Sequence, residues 1–387
     1  MGAGGGVGAA GGELAATLAA TCRPFDEART LPGAAYISDE VFALEQRALF
    51  GRMWLCVGRE KEVPEPGSYL TQEIGAERVL VVRDARRALG AFYNVCRHRG
   101  ARLIEEPRGH LGSIISCPYH AWTYALDGTL VRTPHQAAGF RPEEFPLARV
   151  QLGCRHGLVF VNLHPGAPAL GAQLADLPDL VRYGLEALEC AHRVEYDVAA
   201  NWKVVCENYS ECYHCPIVHP QLHRISEVTR LFESGACFNG GPMAIRDGFS
   251  TMSMTGTSRS PAIAGLPDED RRRINYYLVY PNLMLGLHPD YVVTHRAWPL
   301  APGRTRVVCE WLFPQESVST PGFDPADAVE FWDVTNRQDW ALCERVQRGA
   351  ASRGHAPGPY HPSERCVHTF DRWYAETLAS YFEPSRP

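Results

Sequence analysis

The chain has no run of eighteen apolar residues, which excludes a membrane-spanning helix. It has no excess of basic charge. The formal net charge is −6, so the footprint expected of a nucleic-acid-binding protein is missing. It has no basic leader either. Met1 to Gly12 is rich in glycine and alanine, and the mildly apolar Leu14–Cys22 stretch is broken by Thr17 and Thr21, so no secretory signal is expected. Internal repeats are lacking. The thirteen cysteines are scattered over 387 residues rather than paired in a short framework. Most therefore read as buried thiols of a reduced, cytoplasmic protein. What remains is an ordinary globular composition with room for two or three domains, and fifteen histidines that leave metal chemistry open.

Residues 1–12 read as a flexible tail. Gly6, Gly8 and Gly11 match the dinucleotide-binding fingerprint, but no strand precedes them, so the match lacks its structural context and no nucleotide site is expected. A helical pattern spans Ile37–Trp54 after a possible Ser38 cap. Short strand-like runs follow at Tyr69–Leu70, Val79–Val82, Ala91–Val95, Ile114–Ser116 and Gly157–Asn162, with a hairpin signal at Asp127-Gly128. A Pro/Gly/Ala-rich link, His164–Gly171, precedes helical patterns at Leu174–Leu188 and Lys203–His214. Strands are expected at Val194–Val198, Tyr276–His288, Val292–Trp298 and Thr305–Phe313. Gly235–Ser260 reads as mostly loop, and a last helix runs over Pro325–Arg348.

Two motifs carry chemistry. In Glu207-Asn208-Tyr209-Ser210-Glu211-Cys212-Tyr213-His214-Cys215-Pro216-Ile217-Val218-His219, helical spacing places Glu207, Glu211 and His214 on one face. Pro216 breaks the helix and lets His219 swing beside His214. Two imidazoles and a carboxylate with open positions hold non-haem Fe(II), whereas the alternative is a helix end with two surface histidines. In the β-rich part, Cys96-Arg97-His98 is matched by Cys117-Pro118-Tyr119-His120. Two thiolates and two imidazoles suit a Rieske [2Fe–2S] cluster, with zinc as the alternative. Zinc spacing usually pairs like with like, and here the types alternate. The third iron ligand lies elsewhere. Asp339 shares a helical face with Trp332, Thr335, Leu342, Cys343 and Val346, where a carboxylate is costly unless paired with a buried arginine or metal-bound. Asp333, beside Asn336 and Arg337, can stay solvated.

With Cys96, His98, Cys117 and His120 followed by Glu211-x-x-His214-x₄-His219, nearly the whole chain resembles the catalytic α subunits of Rieske non-haem iron oxygenases. The resemblance implies an α+β fold: a β-sandwich Rieske [2Fe–2S] domain joined to a helix-grip catalytic domain built on an antiparallel sheet. The boundaries read as 1–36 for the tail and N-terminal segment, 37–165 for the helix and Rieske domain, and 166–387 for the mononuclear iron domain. It also implies His214, His219 and Asp339 as iron ligands, and Glu211 and Asn208 as catalytic residues. A head-to-tail homotrimer follows, with Glu211 linking the iron to a cluster histidine of the neighbouring subunit. Most members carry Asp at that position. Glutamate, with Asn336–Gly349 and Gly358–Tyr360, resembles the branch containing carnitine monooxygenase and glycine betaine demethylase. The expected activity is hydroxylation of an N-methyl group of a betaine-like quaternary amine, using O₂ and NAD(P)H electrons from a separate flavin/ferredoxin-type reductase and releasing formaldehyde. Hydroxylation or dioxygenation of an aromatic ring is the alternative reaction, and a Rieske electron-transfer protein the non-enzymatic one. A bound cation needs aromatic faces. Tyr209, Tyr213, Tyr276, Tyr277, Tyr280 and Trp298 are candidates, with core packing the alternative for each.

Overall fold

In the computed structural model, residues 17–134, 139–227 and 232–382 are described; the tail glycines Gly6, Gly8 and Gly11 lie outside them. None of the described helices is long and apolar enough to cross a membrane. The chain forms two compact units, one of residues 50–172 and one joining the segment up to Leu49 to everything from Gln173 onward.

Among its described residues, the 50–172 unit has ten short strands. β2 (Ser68–Ile74), β3 (Glu77–Arg83), β4 (Leu89–Tyr93) and β5 (Arg108–His110) form an antiparallel sheet in the order β4-β3-β2-β5. β6 (Ile114–Ser116), β7 (Thr123–Ala125) and β8 (Leu130–Arg132) form a second. β1 (Leu55–Arg59), β9 (Gln151–Arg155) and β10 (Leu158–Asn162) form a third, with β10 central. Leu80, Val82, Phe92, Ile115, Tyr124 and Leu130, all from the first two sheets, form one buried core cluster that also contains Cys96 and Cys117. The expected hairpin at Asp127-Gly128 joins β7 to β8. Gly128 has φ +87° there, and an added Cβ would meet the Phe92 ring at 2.4 Å.

The second unit centres on a seven-stranded antiparallel sheet, ordered β11-β17-β16-β15-β14-β13-β12. Its strands are β11 (Glu189–Val198), β12 (Glu233–Gly235), β13 (Phe238–Ala244), β14 (Arg273–Val279), β15 (Leu283–Leu287), β16 (Val292–Ala301) and β17 (Arg304–Phe313). Four helices matter for the site: α1 (Asp39–Glu45), α2 (Trp202–Tyr209), α3 (Ala326–Ala350) and α4 (Arg365–Phe382). α2 packs on β16 and against α3, α3 also on β11, and α4 on β13.

Several elements depart from the sequence expectations. Ser38 does cap α1, accepting from the Val41 N–H at 3.3 Å, but the helix stops at Glu45 and a wider turn takes over to Phe50. This segment groups with the large sheet rather than with residues 50–165. The reason is Glu45, fully buried and bound by Lys203 Nζ (2.5 Å), Trp202 Nε1 (2.8 Å) and Tyr374 Oη (2.7 Å). Leu174–Leu188 is not a helix. Pro178 disfavours helical angles before it, Asp179 accepts from the Val181 N–H, and Gly184 turns left-handed at φ +53°. The leucines Leu174, Leu180, Leu185 and Leu188 are buried all the same. Tyr276–His288 is two strands, β14 and β15, folded at Tyr280–Asn282. Part of the expected loop Gly235–Ser260 is β13. Cys154 and Cys190 are exposed rather than buried.

Candidate metal centres and the cavity between the helices

Two loops of one shape carry the cysteine–histidine pairs. In each, the cysteine N–H donates to the carbonyl of Ala101 or Trp122 (both 2.8 Å), and the cysteine carbonyl accepts from the N–H of Gly100 or Ala121 (both 3.1 Å). Gly100 and Ala121 have φ of +74° and +55°. Glycine tolerates this freely; for alanine it costs roughly 1–2 kcal/mol, a strain held by the surrounding fold. Cys96 and Cys117 are buried, with Tyr124 Oη 3.3 Å from the Cys96 sulfur, whereas His98 is exposed and His120 half-buried. The two imidazole rings lie 4.7 Å apart, and His98 stacks on Trp122 at 4.9 Å. Thiols inside and imidazoles outside suit a cluster with sulfur ligands on one iron and nitrogen ligands on the other. A single zinc would draw all four donors together. Among the described residues, however, the group whose donor atoms all fall within 4.8 Å of one another is His214, His219 and Asp339.

That trio sits where α2 ends and α3 passes. α2 stops at Tyr209, short of the expected His214, so Glu207, Glu211 and His214 do not share a helical face. Glu207 instead takes the Tyr36 hydroxyl at 2.8 Å. Glu211 folds forward: Oε2 accepts from the Tyr213 N–H and from the His214 N–H (3.3 Å), and Oε1 accepts from His214 Nδ1 at 2.5 Å. A short helical turn, Cys215–Val218, with Pro216 in its first turn, then returns His219 to the site. Cys212 and Cys215 are joined by a disulfide across this turn, which brings their Cα atoms to 4.9 Å; they are not the free thiols expected.

His214 Nε2, His219 Nε2 and Asp339 Oδ1 form a triangle with sides of 3.2, 2.9 and 3.3 Å. Donors at right angles around an ion at ~2.1 Å are themselves ~3 Å apart, so the trio fits one face of an octahedral metal such as Fe(II). Second contacts fix the histidines. Glu211 holds Nδ1–H of His214, and Gln338 Oε1 accepts from Nδ1 of His219 at 2.7 Å, leaving both Nε2 atoms for a metal. Gln221 Nε2 donates to the same Gln338 oxygen at 2.9 Å. Burial works against charge on His214, yet the bonds to Asp339 and Glu211 win and push it up to about 10. Burial likewise opposes ionisation of Asp339, and the two histidines overcome it, holding the carboxyl below its ordinary range. The site thus binds a positive charge, a proton or a cation. Asp339 pairs with no arginine among the described residues, which sets aside the structural alternative. Asp333 lies six residues earlier on α3, bound by Arg337 (2.8 Å) and Tyr196 (2.7 Å).

A cavity of about 150 Å³ opens beside the trio. A space of that order holds a benzene-sized molecule. Asn208 and Glu211 line it, as do Tyr209 and Tyr276, two of the six candidate aromatics. Their rings meet edge to face at 6.2 Å, and Tyr276 meets Trp332 at 6.0 Å. Tyr213 points away and stacks on His361, Tyr277 faces Glu233 and Phe238, Tyr280 packs on Trp373, and Trp298 is core. Gly240 also lines the cavity, at φ +151°, where an added Cβ would lie 1.9 Å from the Tyr276 carbonyl oxygen. Trp332, Phe232, Arg365 and the supporting Gln338 were not singled out for these places from sequence. Trp332 was within reach, because it shares a helical face with Asp339. Nothing local marks the others.

The ring hydroxylating alpha subunit (catalytic domain) family matches residues 185–380, and the Rieske [2Fe-2S] domain family matches 53–161. The glycine betaine monooxygenase oxygenase subunit of Pseudomonas aeruginosa is 33% identical over 392 residues, covering 92% of this chain and 90% of that protein. The carnitine monooxygenase oxygenase subunit of Acinetobacter pittii is 29% identical over 342 residues, covering 86% and 88%. Among solved structures, that of a quaternary ammonium Rieske monooxygenase, described for carnitine oxidation and inter-subunit electron transfer, superposes with a TM-score of 0.80. It shares 27% identity and covers 94% of this chain and 98% of that one.

Proposed function

From the premise that the chain belongs to the Rieske non-haem iron oxygenases as an α subunit, we propose that it hydroxylates an N-methyl group of a quaternary ammonium compound. The hydroxylated methyl leaves as formaldehyde, and a separate flavin/ferredoxin-type reductase supplies electrons from NAD(P)H. The observation that carries this reading is the cavity, which Tyr209, Tyr276 and Trp332 line together with His214, His219 and Asp339. Aromatic faces attract a desolvated quaternary ammonium by up to about 2 kcal/mol each and need no hydrogen bond from it.

An Fe(II) held by His214, His219 and Asp339 would supply dioxygen activation, and a [2Fe–2S] cluster held by Cys96, Cys117, His98 and His120 would supply its electrons. The chain's own groups do the rest. Gln338 and Glu211 keep the two Nε2 atoms aimed at one point. Tyr209 and Tyr276 have buried hydroxyls without a hydrogen-bond partner among the described residues, so the cavity wall offers a methyl-rich cation apolar contact and a little polarity. Asn208 completes the lining beside Glu211.

We place Glu211 on the electron path as well. The reading is a cytoplasmic homotrimer in which Glu211 of one subunit reaches a cluster histidine of the neighbouring one. Its support is the exposure of His98, and of Tyr213 and Ile217 (55% and 87%) beside Glu211, apolar surface suited to cover by another subunit. The test is a coupled assay with a promiscuous reductase, NADH, a panel of quaternary amines and a panel of arenes. Formaldehyde from an amine is the expected result. Turnover of an arene with no amine active would overturn the reading.

A further inference from the structure

A hydrogen-bond chain runs from the backbone of α3 to His219, and each link has one permitted direction. The first link is the buried Thr335, whose hydroxyl donates to the Phe331 carbonyl at 2.8 Å. A carbonyl only accepts, so the hydroxyl proton is committed there and Thr335 Oγ1 faces its other neighbours as an acceptor. Gln221, on the short helix Pro220–Ile225 that starts directly after His219, answers it. Its Nε2 lies 3.2 Å from Thr335 Oγ1 and 2.9 Å from Gln338 Oε1, and its two hydrogens serve the two bonds. Gln338 Oε1 also accepts from His219 Nδ1 at 2.7 Å. With its proton held on Nδ1, His219 keeps the Nε2 lone pair, 2.9 Å from Asp339 Oδ1 and 3.2 Å from His214 Nε2.

The two ends of a glutamine amide have nearly the same shape, so packing does not choose between them and hydrogen-bond partners do. Gln338 Nε2 has no partner among the described residues, so the choice at Gln338 falls to the groups around Oε1. A reversed Gln221 would set its own oxygen against the lone pairs of Thr335 and Gln338, replacing two bonds with two repulsions. A reversed Gln338 would point its NH₂ at Nδ1 of His219, which could then only accept, and the imidazole proton would move to Nε2, where a metal must bind. Resting on the iron site read above, we propose that Gln221 is a positioning residue for His219. Anchored by Thr335, it locks the Gln338 amide with its oxygen toward the imidazole and so holds the tautomer that offers Nε2 to the metal. Among the described residues Gln221 bonds none of the three ligands, and it acts through Gln338.

The test is a double-mutant cycle of Gln221→Leu and Gln338→Glu on the full-length protein, read as ferrous iron affinity by competition with a chelator. A carboxylate has two accepting ends and no donor, so Gln338→Glu keeps its bond to His219 whichever way it turns. Gln221→Leu alone is expected to weaken iron binding by about tenfold, the lower end of the effect of losing an outer partner. In the Gln338→Glu background the same substitution should change affinity by less than about twofold, because no amide is left to reverse. Thr335→Val, close in shape but without the accepting oxygen, should weaken binding in the same direction, and Thr335→Ser should restore it. The cluster's visible absorption and the urea midpoint report folding in each variant. Equal loss in both backgrounds, or no loss in Gln221→Leu, overturns the assignment while leaving the iron site intact. A wild-type protein that takes up no mononuclear iron overturns both.

Discussion

Gln338 offers a sharp perturbation because it touches the proposed iron site through one atom. Its Oε1 accepts from His219 Nδ1 at 2.7 Å, and His219 is 1% exposed, so no water can take over if the oxygen is removed. Gln338→Leu keeps the bulk and strands a buried N–H, at a cost of about 1–3 kcal/mol. It also frees the ring to rotate or to adopt the tautomer with Nε2 protonated. Loss of such a supporting partner typically weakens metal binding by about 10–100-fold, an energy of the same order. Ferrous iron affinity, measured by competition with a chelator, should fall by that factor in Gln338→Leu. It should survive in Gln338→Glu, which retains an acceptor. The cluster's visible absorption provides an internal control for folding. A Gln338→Leu protein that holds iron within about twofold of wild type would show that the bond to His219 does not orient the ligand.

Glu211→Gln can still accept from His214 Nδ1 through its amide oxygen, so both metals should be retained while turnover coupled to the reductase falls at least tenfold; wild-type turnover would remove Glu211 from the electron path. Lys203→Met leaves Glu45 buried and unpaired in a site where both are fully covered, and should cost about 3–5 kcal/mol in urea unfolding, with a change under about 1 kcal/mol counting against the pairing. Glu207 and Asp371 form a buried carboxyl pair: burial pushes Glu207 up to about 7 from its ordinary 4.5, and burial with the nearby Glu207 raises Asp371 as well. The native state therefore holds more protons than the unfolded chain between those values, and stability present near pH 4.5 is lost as pH rises through about 7. Glu207→Gln should gain stability relative to wild type as pH is raised across that window, and parallel pH profiles for the two proteins would refute it.

How much of this was readable from the residues follows from the range of the forces involved. The two Cys/His loops were legible because each is a local hairpin whose ligands lie within four residues. Central strands such as β16 and β17, and helix α3, were legible because their patterns are long. Leu174–Leu188 misled because leucine spacing reports burial, and Pro178 and Gly184 satisfy that burial without a helix. The motif around His214 does bring His214 and His219 together, but by a geometry other than the expected one. Pro216 does return His219, but the helix has already ended at Tyr209, and Glu211 reaches His214 by folding forward from a turn. Asp339 was legible from its helical face and from family resemblance, although Val346 on that face is 49% exposed. Phe232 and Arg365 reach the cavity from segments distant from the motif, and Gln338, although next to Asp339, takes its place through its bond to His219, which no local pattern encodes.

The central claim is that one polypeptide holds two metal centres, a relay cluster and a separate oxygen-activating iron. The direct measurement is iron and acid-labile sulfide per chain in protein purified without oxygen and reconstituted with ferrous iron. The account predicts about three irons and about two sulfides. A folded protein with the cluster intact that never takes up the third iron would contradict it.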